Sequence, residues 1–255
     1  MKILISTSKT MNYSPSDEIE ELSRTNPVYL DTANKINFQL SKLSRIELQK
    51  IMKTSPKLTS QAIASINLYN LDTTDVYPAI RYFSGDIYKG IKKLSWTADD
   101  CDYAQDNLRI ISGLYGILKP LDQIKRYRLE MGYRLKNKEF KYLDKFWKDK
   151  IAIQLKDEKL IFNLLPIEYS KAVLPLPNNP TIISPQFLVE NELGLLKNII
   201  INTKLTRGLM ASWLITNRIK TDQQIRLFNL DGYSYSQAIT KDPTKPVFIK
   251  SITKR

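Results

Sequence analysis

Glycine is scarce in this chain of 255 residues: there are eight, and three of them, Gly113, Gly116 and Gly132, fall in the stretch from Leu108 to Gly132. Because glycine is the residue that accepts positive φ without strain, so few glycines leave few places where the backbone can turn sharply or come close to something. Gly113 and Gly116 bracket Leu114 and Tyr115 as a short hairpin whose N–H groups can approach a phosphate. Lys119, Lys125, Arg126, Arg128 and Arg134 follow it and supply counter-charge along one segment. Contacts of that kind go to a nucleic-acid backbone, so binding through them is sequence-independent and falls with salt. A structural turn and part of an enzyme site are the competing readings of the same residues.

The charge supports the first reading only in part. Thirty-nine Lys and Arg against twenty-six Asp and Glu give +13, the mark of a polyanion binder. Enrichment in Ile, Lys and Asn, as in AT-rich genomes, raises basicity without any binding function. The charge is nevertheless uneven, near balance up to Gly90 and dense from Lys119 to Lys150. Histidine is absent, which removes Ser-His-Asp triads and histidine-based zinc hydrolysis. The one cysteine, Cys101, cannot form an intrachain disulfide. It stands among Asp99, Asp100 and Asp102, whose charge raises a thiol pKa, so an inert thiol is expected. No signal peptide and no run long enough to span a bilayer are read, so a soluble cytoplasmic chain is expected.

In chain order, Lys2 to Ser6 predicts a buried strand that delivers Lys9 into a polar loop. Asn12 to Pro27 reads as a surface excursion. Helices follow, one begun by a capping box at Ser44 and Glu47. Ala79 to Phe83 reads as a strand running into Gly85, Asp86, Tyr88 and Gly90, a turn where backbone meets a ligand or a neighbouring segment. Thr97 and Asp100 form a second capping box. Phe140 to Ile151 predicts an amphipathic helix, Lys159 to Leu165 a strand, and Ile182 to Val189 with Lys197 to Asn202 a strand pair. Thr206 is expected to cap the last long helix, with Arg207 at its start, where a cation opposes the dipole, so that either an anionic partner holds it there or it is a surface arginine tolerated at small cost. Phe228 to Tyr235 and Val247 to Ile252 read as closing strands. The irregular alternation predicts a mixed α/β fold in one domain, residues 1–255.

Several segments together resemble the YaaA family of bacterial peroxide-stress proteins. They are Ile5 to Met11, Phe83 to Gly90, Leu108 to Asp122, Tyr127 to Gly132, Phe146 with Trp147, Asn163 with Leu164, Glu168 with Tyr169, Arg207 to Met210 and Asp231 to Tyr233. The resemblance covers nearly the whole chain in order. It implies a single-domain cytoplasmic protein with a positively charged cleft, DNA binding through a helix-hairpin-helix-like element, and a role in limiting free iron and oxidative DNA damage. Two departures are visible. Ser6, Thr7 and Ser8 stand where the family has Ser-Pro-Ala before Lys9 and Thr10, and Leu165 with Pro166 replaces Ala-Ser.

The leading expectation is therefore a cofactor-free stress protein, favoured as a monomer, that binds duplex or distorted DNA through Gly113, Gly116, Lys119, Lys125, Arg126, Arg128 and Arg134 and affects iron indirectly. The alternative is an enzyme acting on a nucleotide or nucleobase. Its pocket would draw on Lys9, Asp86, Tyr88, Glu130, Lys171 and Arg207, with Lys9 as nucleophile or base and Glu130 as acid/base. No metal ligand set is read. Where Lys9, Glu130 and Arg207 lie relative to one another separates the two.

Overall fold

Strand β1 (Lys2–Ser6) encloses Ile3, Leu4 and Ile5 completely, as an apolar run without alternation does when both faces of a sheet are covered. The computed structural model describes residues 1–12, 24–69, 71, 76–92 and 94–251, so most of the expected excursion at 12–27 lies outside the described residues. After β1 the chain makes a short strand β2 (Thr10–Met11). Helix α1 (Leu30–Ser41) buries Ala33, Ile36 and Leu40 at helical spacing. Helix α2 (Arg45–Met52) starts at the expected capping box, the Ser44 hydroxyl accepting from the Glu47 N–H and the Glu47 carboxylate from the Ser44 N–H. Helix α3 (Pro56–Tyr69) begins on a proline, whose missing N–H costs nothing there.

The apolar run at 79–83 is not one strand. It divides into β3 (Tyr77–Pro78), a single helical turn α4 (Ala79–Tyr82) and β4 (Phe83–Ser84), leading to α5 (Asp86–Ile91). The reason is tertiary: β4 pairs with β2 while β3 pairs with Gln123 and Ile124, and the turn carries the chain between these two ladders. Helix α6 (Ala98–Asn107) starts at the Thr97 and Asp100 capping box and passes directly into β5 (Leu108–Ser112). Strands β6 (Gly116–Leu118) and β7 (Gln123–Ile124) and helix α7 (Leu143–Gln154), with Trp147 buried, come next. Strand β8 (Leu160–Asn163) and the short helix α8 (Ile167–Ser170) follow.

The expected strand at 182–189 is cut at Ser184 and Pro185 into β9 (Thr181–Ile183) and β10 (Gln186–Glu190), which belong to different sheets. Strand β11 (Leu196–Lys197) is short, and the isoleucines beyond it open helix α9 (Ile200–Thr216) instead of prolonging it. β-Branched propensity misleads here, because these isoleucines are exposed and the helix they open is decided by its enclosed run from Gly208 to Ile215. A 3₁₀ turn (Gln223–Leu227), β12 (Tyr233–Tyr235) and β13 (Val247–Ser251) complete the described chain. Only the end of the expected Phe228 to Tyr235 strand forms.

Among the described residues the main sheet has the order β6-β5-β1-β8-β9. Strands β5, β1, β8 and β9 run parallel and β6 returns antiparallel. A second sheet, β11-β10-β13-β12, packs Phe187, Phe228, Tyr233 and Phe248 edge to face or tilted. The fold is mixed α/β, and its hydrophobic core is continuous from Ile3 to Phe248. Helices α5 and α9 meet without room for side chains: a Cβ on Gly208 would lie 1.8 Å from the Ile87 carbonyl oxygen, and one on Gly90 2.0 Å from that of Leu205.

Candidate functional site

In an open α/β sheet, ligands bind beyond the carboxyl ends of the parallel strands, at the point where neighbouring connections leave in opposite directions. Here that point is the end of β1, which has β5 on one side and β8 on the other. The polar residues Ser6, Ser112 and Asn163 end the three strands. The Thr7 N–H, just past β1, donates to the Ile111 carbonyl at 3.1 Å, and the Thr7 hydroxyl lies 3.1 Å from the Tyr169 hydroxyl. Ser112 Oγ is 2.7 Å from the Tyr127 hydroxyl.

Over this edge lie Lys9, Arg128 and Glu130. Lys9 Nζ is 3.9 Å from Glu130 Oε2, and Arg128 donates one guanidinium N–H to the Lys9 carbonyl at 3.3 Å. The Nε of Arg128 is buried with no partner among the described residues. Glu130 is buried, whereas more than half of the Lys9 side chain is exposed. Burial pushes the Glu130 carboxyl above the usual range and the Glu168 charge adds to the rise, while Lys9, Arg128 and the Tyr169 hydroxyl pull the other way without cancelling it. Burial likewise raises Tyr133, which faces both Glu130 and Arg128. A carboxyl that holds its proton more tightly than usual, flanked by two cations and tyrosine hydroxyls, suits proton transfer or recognition of an anionic, hydrogen-bonding ligand.

The alternative pocket assembles in part. Lys9 and Glu130 converge. Tyr88 is tied to the end of β1, its buried hydroxyl donating to the Ser6 carbonyl at 3.2 Å. Asp86 opens α5 with Lys89 Nζ at 3.7 Å, and Gly85, at φ +118°, brings that helix start against Ser8 in the loop that bears Lys9. Lys171 is exposed just past α8 and has no side-chain partner among the described residues. Among the described residues no hydrogen bond or ion pair links Arg207 to them. It lies well inside α9 rather than in a first turn, because the helix starts at Ile200, and Thr206 is buried rather than capping. Its guanidinium is largely enclosed, burial works against its charge, and no carboxylate pairs with it among the described residues.

The proposed phosphate hairpin is corrected. Residues 113–118 are all buried. The Leu114 and Tyr115 N–H groups both donate to Ser112 Oγ, at 3.1 and 3.0 Å, so neither is free for a phosphate. Gly116 takes φ +73° with the Trp147 ring against it, and a Cβ on Gly113 would meet the Leu129 carbonyl at 2.6 Å. The glycines answer to core packing, and the elements on either side are β5 and β6, so Gly113 to Gly116 turns a β-hairpin and not a helix-hairpin-helix. Lys125 is spent on the end of α3, its Nζ donating to the Tyr69 and Leu71 carbonyls at 3.0 and 2.9 Å. Arg126 is half-buried with interactions inside the chain. Lys119 and Arg134 are exposed.

Thr7, Tyr127, Tyr133, Glu168 and Tyr169 were not among the expected pocket residues. Glu168 and Tyr169 stand in a segment quoted for the family resemblance, and Tyr127 and Tyr133 flank Arg128 and Glu130, which was the available signal.

The family model described as peroxide stress protein YaaA matches residues 1–239, a span holding every residue of the Lys9 and Glu130 cluster. The chain belongs to the YaaA family. It is 40% identical over 257 residues to a UPF0246 protein of Marinomonas sp. (strain MWYL1), covering 98% of this chain and 97% of that one. It is 36% identical over 263 residues to a UPF0246 protein of Clostridium beijerinckii, with both chains covered completely. The YaaA match spans β12 and stops before β13.

Proposed function

We propose that this chain, as a peroxide-stress protein, binds and acts on a nucleotide or nucleobase at the carboxyl edge of its parallel sheet. The observation that carries this is the approach of Lys9 to a buried Glu130 beside the end of β1. In this reading Lys9 and Arg128 hold the anionic part of the ligand, and Glu130 meets its base edge or moves a proton there. Tyr133 and Tyr169 orient the carboxyl. Calorimetric titration with nucleosides and nucleoside monophosphates tests it. Binding that falls at least tenfold in Glu130→Gln and in Lys9→Met supports it, and no binding by any of them, or indifference to both substitutions, overturns it.

A second reading, DNA binding, is favoured by a separate observation. Among the described residues, Arg134, Lys138, Lys141 and Lys145 are exposed and none has a carboxylate partner, whereas nearby Lys136 pairs with Glu47. Unpaired cations grouped on one surface suit a polyphosphate backbone. This surface, rather than the hairpin at 113–116, would hold duplex or distorted DNA in the cytoplasm, and any effect on free iron would follow from protection of the DNA. Affinity for duplex DNA that falls steeply as salt is raised supports it, and absence of binding at low salt removes it.

A further inference from the structure

Tyr142 immediately precedes helix α7 in extended backbone, and its ring is partly open to solvent. Three cations surround that ring. Lys145 Nζ lies 5.1 Å from the ring centroid, Lys141 Nζ 5.4 Å and the Arg134 guanidinium carbon 5.5 Å, the last brought there by an antiparallel backbone bridge between Arg134 and Tyr142. One helical turn further on, Phe146 has Lys150 Nζ 5.4 Å from its ring. Cation–π contacts at exposed positions are weak, and three like charges at one ring repel one another, none of the three being in an ion pair among the described residues although Asp144 lies in the first turn of α7. The arrangement is balanced once an anion is added. From Tyr142 to Lys150 the helix rises about 12 Å, room for about three stacked nucleotides at ~3.4 Å each.

We infer that Tyr142, Arg134, Lys141 and Lys145 form a binding site for single-stranded nucleic acid, with backbone phosphates on the three cations and an unpaired base against the tyrosine ring. The pairing of an aromatic face with a basic track is what single-strand binding requires, since every base has a face to stack and none needs its hydrogen-bonding edge read. A duplex offers the cations its phosphates but keeps its bases away from the ring. This rests on the nucleic-acid reading above and narrows it to one surface and one form of substrate. Glu130 and Lys9 take no part in it.

The test is fluorescence anisotropy of the full chain with a labelled oligothymidylate and with a duplex, across a salt series. Replacing Arg134, Lys141 and Lys145 together by Ala is expected to weaken single-strand binding at least tenfold at low salt. It should also flatten the slope of log K against log[salt] by about 2, at ~0.7 for each single-strand phosphate. Tyr142→Leu is expected to weaken single-strand binding roughly tenfold with the slope kept, and Tyr142→Phe to bind as the unaltered chain does. All four positions are at the surface, so circular dichroism should match throughout. If the unaltered chain binds but these variants bind equally well, this inference fails and the nucleic-acid reading stands. If the unaltered chain binds no nucleic acid, both fail. Equal loss of duplex and single-strand binding in Tyr142→Leu, or binding to phosphatidylserine vesicles in preference to the oligonucleotide, also overturns it.

Discussion

Lys9 Nζ and Glu130 Oε2 stand 3.9 Å apart, one on the loop after the first strand and the other buried in the segment that follows the β5 and β6 hairpin. A buried carboxyl raised above its ordinary range is a liability to the fold wherever it is ionised. The sign is fixed by linkage: the folded state holds the Glu130 proton more tightly than the unfolded state. Its contribution to stability is therefore complete below the ordinary glutamate value, about 4.3, and is lost as pH rises through the folded value. Glu130→Gln, which cannot ionise, is expected to melt higher than the unaltered chain at pH 7 to 8. The advantage should shrink as pH falls toward 4, as followed by thermal unfolding across a pH series. A lower melting temperature at neutral pH would show Glu130 to be structural.

Lys125 spans from the basic segment to the end of α3. Two charge-assisted hydrogen bonds to helix-terminal carbonyls are lost in Lys125→Ala, which should cost about 1–3 kcal/mol in urea denaturation. Affinity for nucleic acid should change less than twofold, because the ammonium is already occupied.

The α5 and α9 contact depends on two absent side chains. Gly208→Ala and Gly90→Ala each drive a methyl group into a carbonyl oxygen and should lose ~3 kcal/mol or more, or fail to give soluble protein. Gly132→Ala is the control. A Cβ there has Glu168 Oε2 as its nearest neighbour, at 3.6 Å, so its melting curve should shift by less than ~0.5 kcal/mol.

Cys101 is buried, and burial first, then the charges of Asp100 and Asp102, push its thiol up, with Arg81 only partly offsetting them. Reaction with a maleimide at pH 7 should be at least tenfold slower in the native chain than in urea. Rapid native labelling would show an accessible thiolate and overturn the expected inert thiol.

Where a segment's own chemistry decides its shape, the sequence was sufficient. The capping boxes at Ser44 and Thr97 form because their partners lie three residues away. The enclosed run Ile3 to Ile5 becomes a central strand because nothing in it tolerates water. The family segments are equally legible, and they gather Lys9, Arg128, Glu130 and Tyr169 at one edge of the sheet. The failures share a cause. Ala79 to Phe83 and Ile199 to Asn202 are apolar and β-branched enough for strands, and only their partners made the first a turn between two ladders and the second the start of a helix.

By itself the sequence determined the fold class and the family, since these follow from residue types, local spacing and the order of the segments. Only the tertiary structure decided what Gly113 and Gly116 are for. A glycine can free the backbone to meet a phosphate or vacate space for a neighbour, and one chain position looks the same in both cases. The Trp147 ring and the Leu129 carbonyl, distant in sequence, occupy the space these glycines leave. The same packing left Lys9 facing Glu130 and gathered Arg134, Lys141 and Lys145 around Tyr142, because proximity between distant residues is set by how the elements pack.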